Sequence, residues 1–136
     1  MNKQIGIWLD FREAHIITLE REKNNIEIIL SEVEDFNPKG GARSNTPYGS
    51  MDVTSEKKYL ERNKNQVDAY YSKIMEYVKD ATEIFIMGPA EAKIGLRKKM
   101  VKTNSFSSSI KGFETVDSIS KNQKIARTRE FFKSKN

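Results

Sequence analysis

Three short apolar runs joined by tight polar turns, followed by an alternation of helix-like and strand-like segments, leave this chain few architectures. The runs cover residues 4–9, 14–20 and 26–30: Ile5/Ile7/Leu9, Ala14/Ile16/Thr18 and Ile26-Glu27-Ile28-Ile29-Leu30. Asp10-Phe11-Arg12-Glu13 and Lys23-Asn24-Asn25 separate them, so consecutive strands are expected to pair as an antiparallel meander. From Ser55 to about Lys79 the period changes. Leu60, Val67, Tyr70, Tyr71, Ile74, Tyr77 and Val78 recur at three- and four-residue spacing, which predicts a helix packed on the sheet, with Thr54 or Ser55 as its N-cap.

Glu83-Ile84-Phe85-Ile86-Met87 is nearly continuously apolar, as a central strand buried on both faces should be. Gly88-Pro89 is expected to end it by opening a helix with proline at its first position, and Ala92, Leu96, Met100 and Thr103 give that helix an inward stripe. Beyond a serine-rich turn, Asn104 to Ser109, residues 110–116 predict a last strand. Residues 120–132 predict a terminal helix with Ile125, Thr128 and Phe132 on one side, and Asp117 as a cap. The order βββαβαβα specifies an α/β chain with a five-stranded mixed sheet, its right-handed crossovers placing helices on both faces. That is the order of the ribonuclease-H-like fold. Its length of 136 residues suits a single domain, 1–136, that folds without staples.

The absence of cysteine removes disulfides, thiolate catalysis and cysteine-based zinc sites together. No apolar run approaches the roughly 18 residues of a membrane span, and Met1-Asn2-Lys3-Gln4 runs directly into the first strand. A cytoplasmic protein with no membrane partner is expected.

Charge is unevenly placed. Residues 91–136 hold 12 Lys or Arg against 4 Asp or Glu, a net +8, whereas residues 1–90 hold 12 against 15, a net −3, which gives the chain's +5. Such an asymmetry favours a polyanion, because each phosphate contact releases counterions. The candidate RNA contacts are Lys93, Arg97, Lys98, Lys99, Lys102, Lys124, Arg127 and Arg129. Exposed Lys and Arg also serve plain solubility.

Between the third strand and the long helix lies Asn37-Pro38-Lys39-Gly40-Gly41-Ala42-Arg43-Ser44-Asn45-Thr46-Pro47-Tyr48-Gly49. Connections in small domains usually take roughly 4–6 residues, and longer ones tend to be functional or disordered. Residues 37–52 carry too little apolar surface to order themselves, so a mobile loop is expected. Lys39, Gly40, Gly41, Ala42 and Arg43 are its functional candidates.

The stretch Val33 to Met100 resembles the middle domain of the eukaryotic and archaeal class-I peptide release factors and their relative Pelota. Pro38-Lys39-Gly40-Gly41-Ala42-Arg43 stands where those factors carry a Gly-Gly-Gln loop before the long helix. Ile84-Phe85-Ile86-Met87-Gly88-Pro89-Ala90-Glu91-Ala92-Lys93 is similar to their strand-to-helix segment. Ile7-Trp8-Leu9-Asp10-Phe11-Arg12-Glu13-Ala14 and Ala126-Arg127-Thr128-Arg129-Glu130-Phe131-Phe132 extend the likeness to a bacterial family of stand-alone domains described as translational-machinery or host-attachment proteins. The resemblance implies a ribonuclease-H-like fold and a loop that enters an RNA-rich site. Gly40 and Gly41 match the release-factor glycines, but Ala42 occupies the glutamine position, and a methyl group cannot orient water. Its backbone N–H could still donate. The glycines could equally just supply positive φ in a loop.

Other chemistry is thin. A ribonuclease-H nuclease needs carboxylates converging on magnesium. Asp10 and one of Glu56, Glu61 or Asp68 could contribute, but Ile84 to Met87 and Gly88, at the end of the fourth strand where the third carboxylate belongs, offer none, and Asp10 reads better as a turn stabiliser beside Arg12. His15 is the sole histidine, with Glu13 on the same strand face. Gly88-Pro89 with Lys93 is a weak phosphate motif. No catalytic residue, metal site or cofactor is assigned. The expected function is non-enzymatic binding of the ribosome or structured RNA in translation. A hydrolase acting on peptidyl-tRNA or nucleic acid, and a protein-interaction module with a protein partner, are the alternatives.

Overall fold

The computed structural model describes residues 3–20, 24–33, 49–103, 106 and 108–135, with backbone alone at 49–55 and 135. The loop candidates Lys39, Gly40, Gly41, Ala42 and Arg43 lie outside the described residues, as do 104, 105 and 107 of the serine-rich turn. The elements are β1 (Gln4–Leu9), β2 (Glu13–Leu19), β3 (Asn24–Leu30), α1 (Gly49–Tyr77), β4 (Glu83–Gly88), α2 (Ala92–Lys102), β5 (Ile110–Thr115) and α3 (Lys121–Lys135).

The sheet runs β3-β2-β1-β4-β5. β1 pairs antiparallel with β2, and β2 with β3, in registers such as Ile7 opposite Ile16 and Ile17 opposite Ile26. β1 pairs parallel with β4, and β4 with β5. This mixed five-stranded α/β architecture is the ribonuclease-H-like arrangement that the order of elements specified.

Alternation along β1 separates two cores. Ile5, Ile7 and Leu9 join Ile84 and Ile86 under Tyr70, Tyr71, Ile74 and Val78 of α1 and Leu96 and Met100 of α2. Trp8, Phe85 and Met87 face the other way and meet Phe132 and Ile125 of α3. Two helices therefore cover one face and one helix the other. Tyr70 donates to the Asp10 carbonyl at 2.9 Å, tying α1 to the carboxyl end of β1, and Tyr71 donates to the Ala92 carbonyl at 2.9 Å, tying α1 to α2. Burial drives the Tyr70 phenol far above its ordinary value, with Asp10 adding to it, and pushes Tyr71 up to about 12.

Four details depart from the sequence reading. α1 starts at Gly49 rather than near Thr54, so residues 49–52, assigned to the loop, are helical. A glycine at a helix's first position avoids most of the entropic cost it would carry in the interior. The 29 residues of α1 span about 44 Å, against about 20–23 Å for strands of six or seven residues. Its first half therefore overhangs the sheet: no residue from Glu56 to Gln66 is buried, and Leu60, expected in the core, is 57% exposed.

α2 begins at Ala92 rather than at Pro89. Gly88 at φ +148° and Ala90 at φ +48° bend the chain first, so Pro89 belongs to the turn. At α3, Ser120 and Gln123 form the capping pair instead of Asp117: the Gln123 N–H donates to Ser120 Oγ at 3.1 Å and the Ser120 N–H to Gln123 Oε1 at 2.9 Å. The Asp117 carbonyl instead accepts the Trp8 indole N–H at 3.3 Å.

Candidate nucleic-acid interface

The eight cations proposed from sequence do not form one surface. On α2, Arg97, Lys98 and Lys102 are exposed, while Lys99 is held by Asp68 at 2.8 Å. On α3, Arg127 is exposed and meets Glu114 at 3.3 Å, and Arg129 reaches the opposite sheet edge, donating to Asn24 Oδ1 at 2.7 Å. The Arg97 guanidinium lies 4.6 Å from the Phe113 ring centroid. Phe113 and Glu114 are successive residues of β5 and so point to opposite faces. Arg97 and Arg127 consequently flank the free edge of β5 from its two sides, with exposed Lys111 on the strand between them. Lys111 was not among the sequence candidates. Its only signal was a charge on the last strand, whose edge position is a property of the whole sheet.

Two of the eight are turned inward. Lys93 is 2% exposed, its ammonium donating to the Ala90 carbonyl at 2.7 Å and lying 5.5 Å from the Phe113 ring centroid. Lys124 is 5% exposed. Its Nζ sits 4.0 Å from the Trp8 ring centroid and 3.4 Å from His15 Nδ1, while His15 Nε2 lies 2.8 Å from Glu13 Oε2. With the ammonium donating to Nδ1, the ring N–H is on Nε2 and donates a hydrogen bond to the Glu13 carboxylate. Glu13 and His15 do share a strand face, as their spacing required, and Lys124 closes the row from α3.

Burial lowers the Lys124 pKa, a shift that Glu13 and Asp10 partly oppose and Lys121 reinforces. Below its depressed folded-state value the charged lysine carries that penalty in full. As pH rises from there toward the ordinary 10.5, the unfolded chain binds more protons than the folded one, so stability rises. Lys124→Met keeps the stem and removes the charge. The parent should gain on this variant in urea midpoint as pH rises from 7 toward 10, and RNA affinity should be unchanged. Weakened RNA binding in this variant would return Lys124 to the contact set.

Asp10 acts within its turn: Oδ1 accepts the Arg12 and Glu13 N–H groups at 2.8 and 2.9 Å. Among the described residues no three His, Asp or Glu side chains are grouped to hold a metal ion. No helix of the described residues is long and apolar enough to cross a membrane.

Compared by sequence, the chain matches no protein-family profile and no curated protein. Compared by structure, it is similar to an archaeal translation termination factor, aRF1, with a TM-score of 0.53 over 97% of this chain at 9% identity. The likeness is one of fold. The chain spans 40% of that protein's length.

Proposed function

We propose that this chain is a non-catalytic RNA- or ribosome-binding module acting in translation. The observation that carries the reading is the group of exposed cations on α2, Arg97, Lys98 and Lys102, continued by Lys111 and Arg127 around the β5 edge. Phosphates are the natural counter-charge for such a surface. The fold shared with a translation termination factor supports the ribosome as the RNA-rich partner. Lys39, Gly40, Gly41 and Arg43, just ahead of α1, would enter that site, and Ala42 in place of glutamine argues for occupancy without hydrolysis. Cytoplasmic placement follows from a ribosomal partner.

Salt dependence is the test. Binding of structured RNA should fall with salt by a log–log slope of about 0.7–0.9 per phosphate contacted. The Arg97→Gln/Lys98→Gln/Lys102→Gln variant should lose about 2–3 units of that slope while still melting cooperatively, its stability lowered by no more than about 2 kcal/mol, since exposed charges shift stability by less than about 0.5 kcal/mol each and the Arg97 contact with Phe113 is worth about 0.5–1 kcal/mol. An unchanged slope in the folded variant would remove the α2 cations from the interface.

A further inference from the structure

A cleft of about 730 Å³ opens beside the carboxyl ends of β1 and β4, where the β1–β2 turn, α1 and α2 meet. In open α/β sheets this is the end at which ligands are held. Phe11 and Ile94 line it while remaining 42% and 43% exposed, and Val67 adds a third apolar wall. Lys64 of α1 and Lys98 of α2 stand on opposite sides. Asn65 is a polar lining group, and of the two lining carboxylates Asp68 is already compensated by Lys99 at 2.8 Å, while Glu91, just ahead of α2, is exposed to solvent.

The platform is rigid. The Asp10 carboxylate holds the Arg12 and Glu13 N–H groups, the Asp10 N–H donates to the Glu13 carbonyl at 3.1 Å, and Tyr70 pins the Asp10 carbonyl from α1. Phe11 is thus presented by a turn fixed at four points, although nothing in the core requires an aromatic there.

We propose that this cleft takes one unpaired base of an RNA strand, stacked on Phe11, with the flanking phosphates on Lys64 and Lys98. The inference rests on the RNA-binding reading and names where a single strand enters. A base supplies what this lining asks for: an apolar face, a polar edge, and anionic charge on both sides. An apolar peptide side chain would satisfy Phe11 and Ile94 but leave the two lysines without a partner.

Phe11→Trp places a fluorophore in the cleft, and the chain's own Trp8 is only 2% exposed. An octamer of uridine at low salt should quench the new tryptophan, whereas an abasic ribose-phosphate chain of equal length should not. Phe11→Ala should weaken the octamer at least about fivefold, the lower end of base-stacking losses, with the salt slope unchanged, and Phe11→Tyr should restore it. Lys64→Gln/Lys98→Gln should instead reduce the slope by about 1–2 units. If Phe11→Ala binds as tightly as the parent and the tryptophan is not quenched, the cleft proposal fails while RNA binding stands. If no variant or parent binds RNA at low salt, both fail. Quenching by a designed amphipathic helix of leucine and glutamate, with none by RNA, overturns the proposal in favour of a protein partner.

Discussion

Gly88→Ala should be among the most damaging single substitutions in this chain, at about 4 kcal/mol. Gly88 closes β4 at φ +148°, a region that costs other residues about 1–3 kcal/mol. A Cβ there would also overlap the Leu9 carbonyl oxygen and come within 3.3 Å of its carbonyl carbon. That carbonyl belongs to β1, the strand paired with β4, so neither backbone can retreat without breaking the central parallel pairing. Overpacking of this kind adds about 1–3 kcal/mol. Against a typical total stability of about 5–15 kcal/mol, the variant should show a large drop in urea midpoint at unchanged slope. A midpoint within error of the parent would mean that the turn leaving β4 is not built as described.

Gly6→Ala should cost about 1–3 kcal/mol for a different reason. Its φ is ordinary, but α3 crosses β1 at this position, and a Cβ would overlap the Thr128 hydroxyl and approach Thr128 Cγ2 to 2.6 Å. Thr128 is fully buried, its hydroxyl donating to the Lys124 carbonyl at 2.9 Å, so it has nowhere to turn. Thr128→Ala should partly rescue Gly6→Ala, leaving the 3.0 Å approach to Thr128 Cβ. A double-mutant cycle should return a coupling of at least about 1 kcal/mol. Strict additivity would indicate that α3 does not cross β1 there.

Both glycines mark what the sequence could not disclose. Apolar periods and hairpin spacings are local, and they sufficed for the order of elements, the mixed sheet and the helices on its two faces. Gly6 reads as an unremarkable strand residue because its partner lies 122 positions away on α3. Pro89 reads as a helix start because proline often is one, yet Gly88 and Ala90 at positive φ delay the helix to Ala92. Leu60 fits the helical stripe, but that stripe continues beyond the sheet that would have covered it.

The candidate interface was legible in charge and not in direction. Lys93 and Lys98 look equivalent on α2, yet the former folds back over Phe113 and the Ala90 carbonyl while the latter faces the cleft. Lys124 is drawn in by a Trp8–His15–Glu13 row assembled from two strands. Phe11 sat in a turn whose composition announced only a reversal of the chain. Its exposure over a cleft emerges when α1 and α2 are docked.

Cosedimentation with ribosomes tests the proposed role most directly. The intact chain should pellet with ribosomes at low salt and be released steeply as salt rises. The Arg97→Gln/Lys98→Gln/Lys102→Gln variant, folded by its melting curve, should stay in the supernatant at salt concentrations where the parent pellets. A folded parent that never pellets at low salt, or a variant that pellets as the parent does, would contradict ribosome binding through this surface.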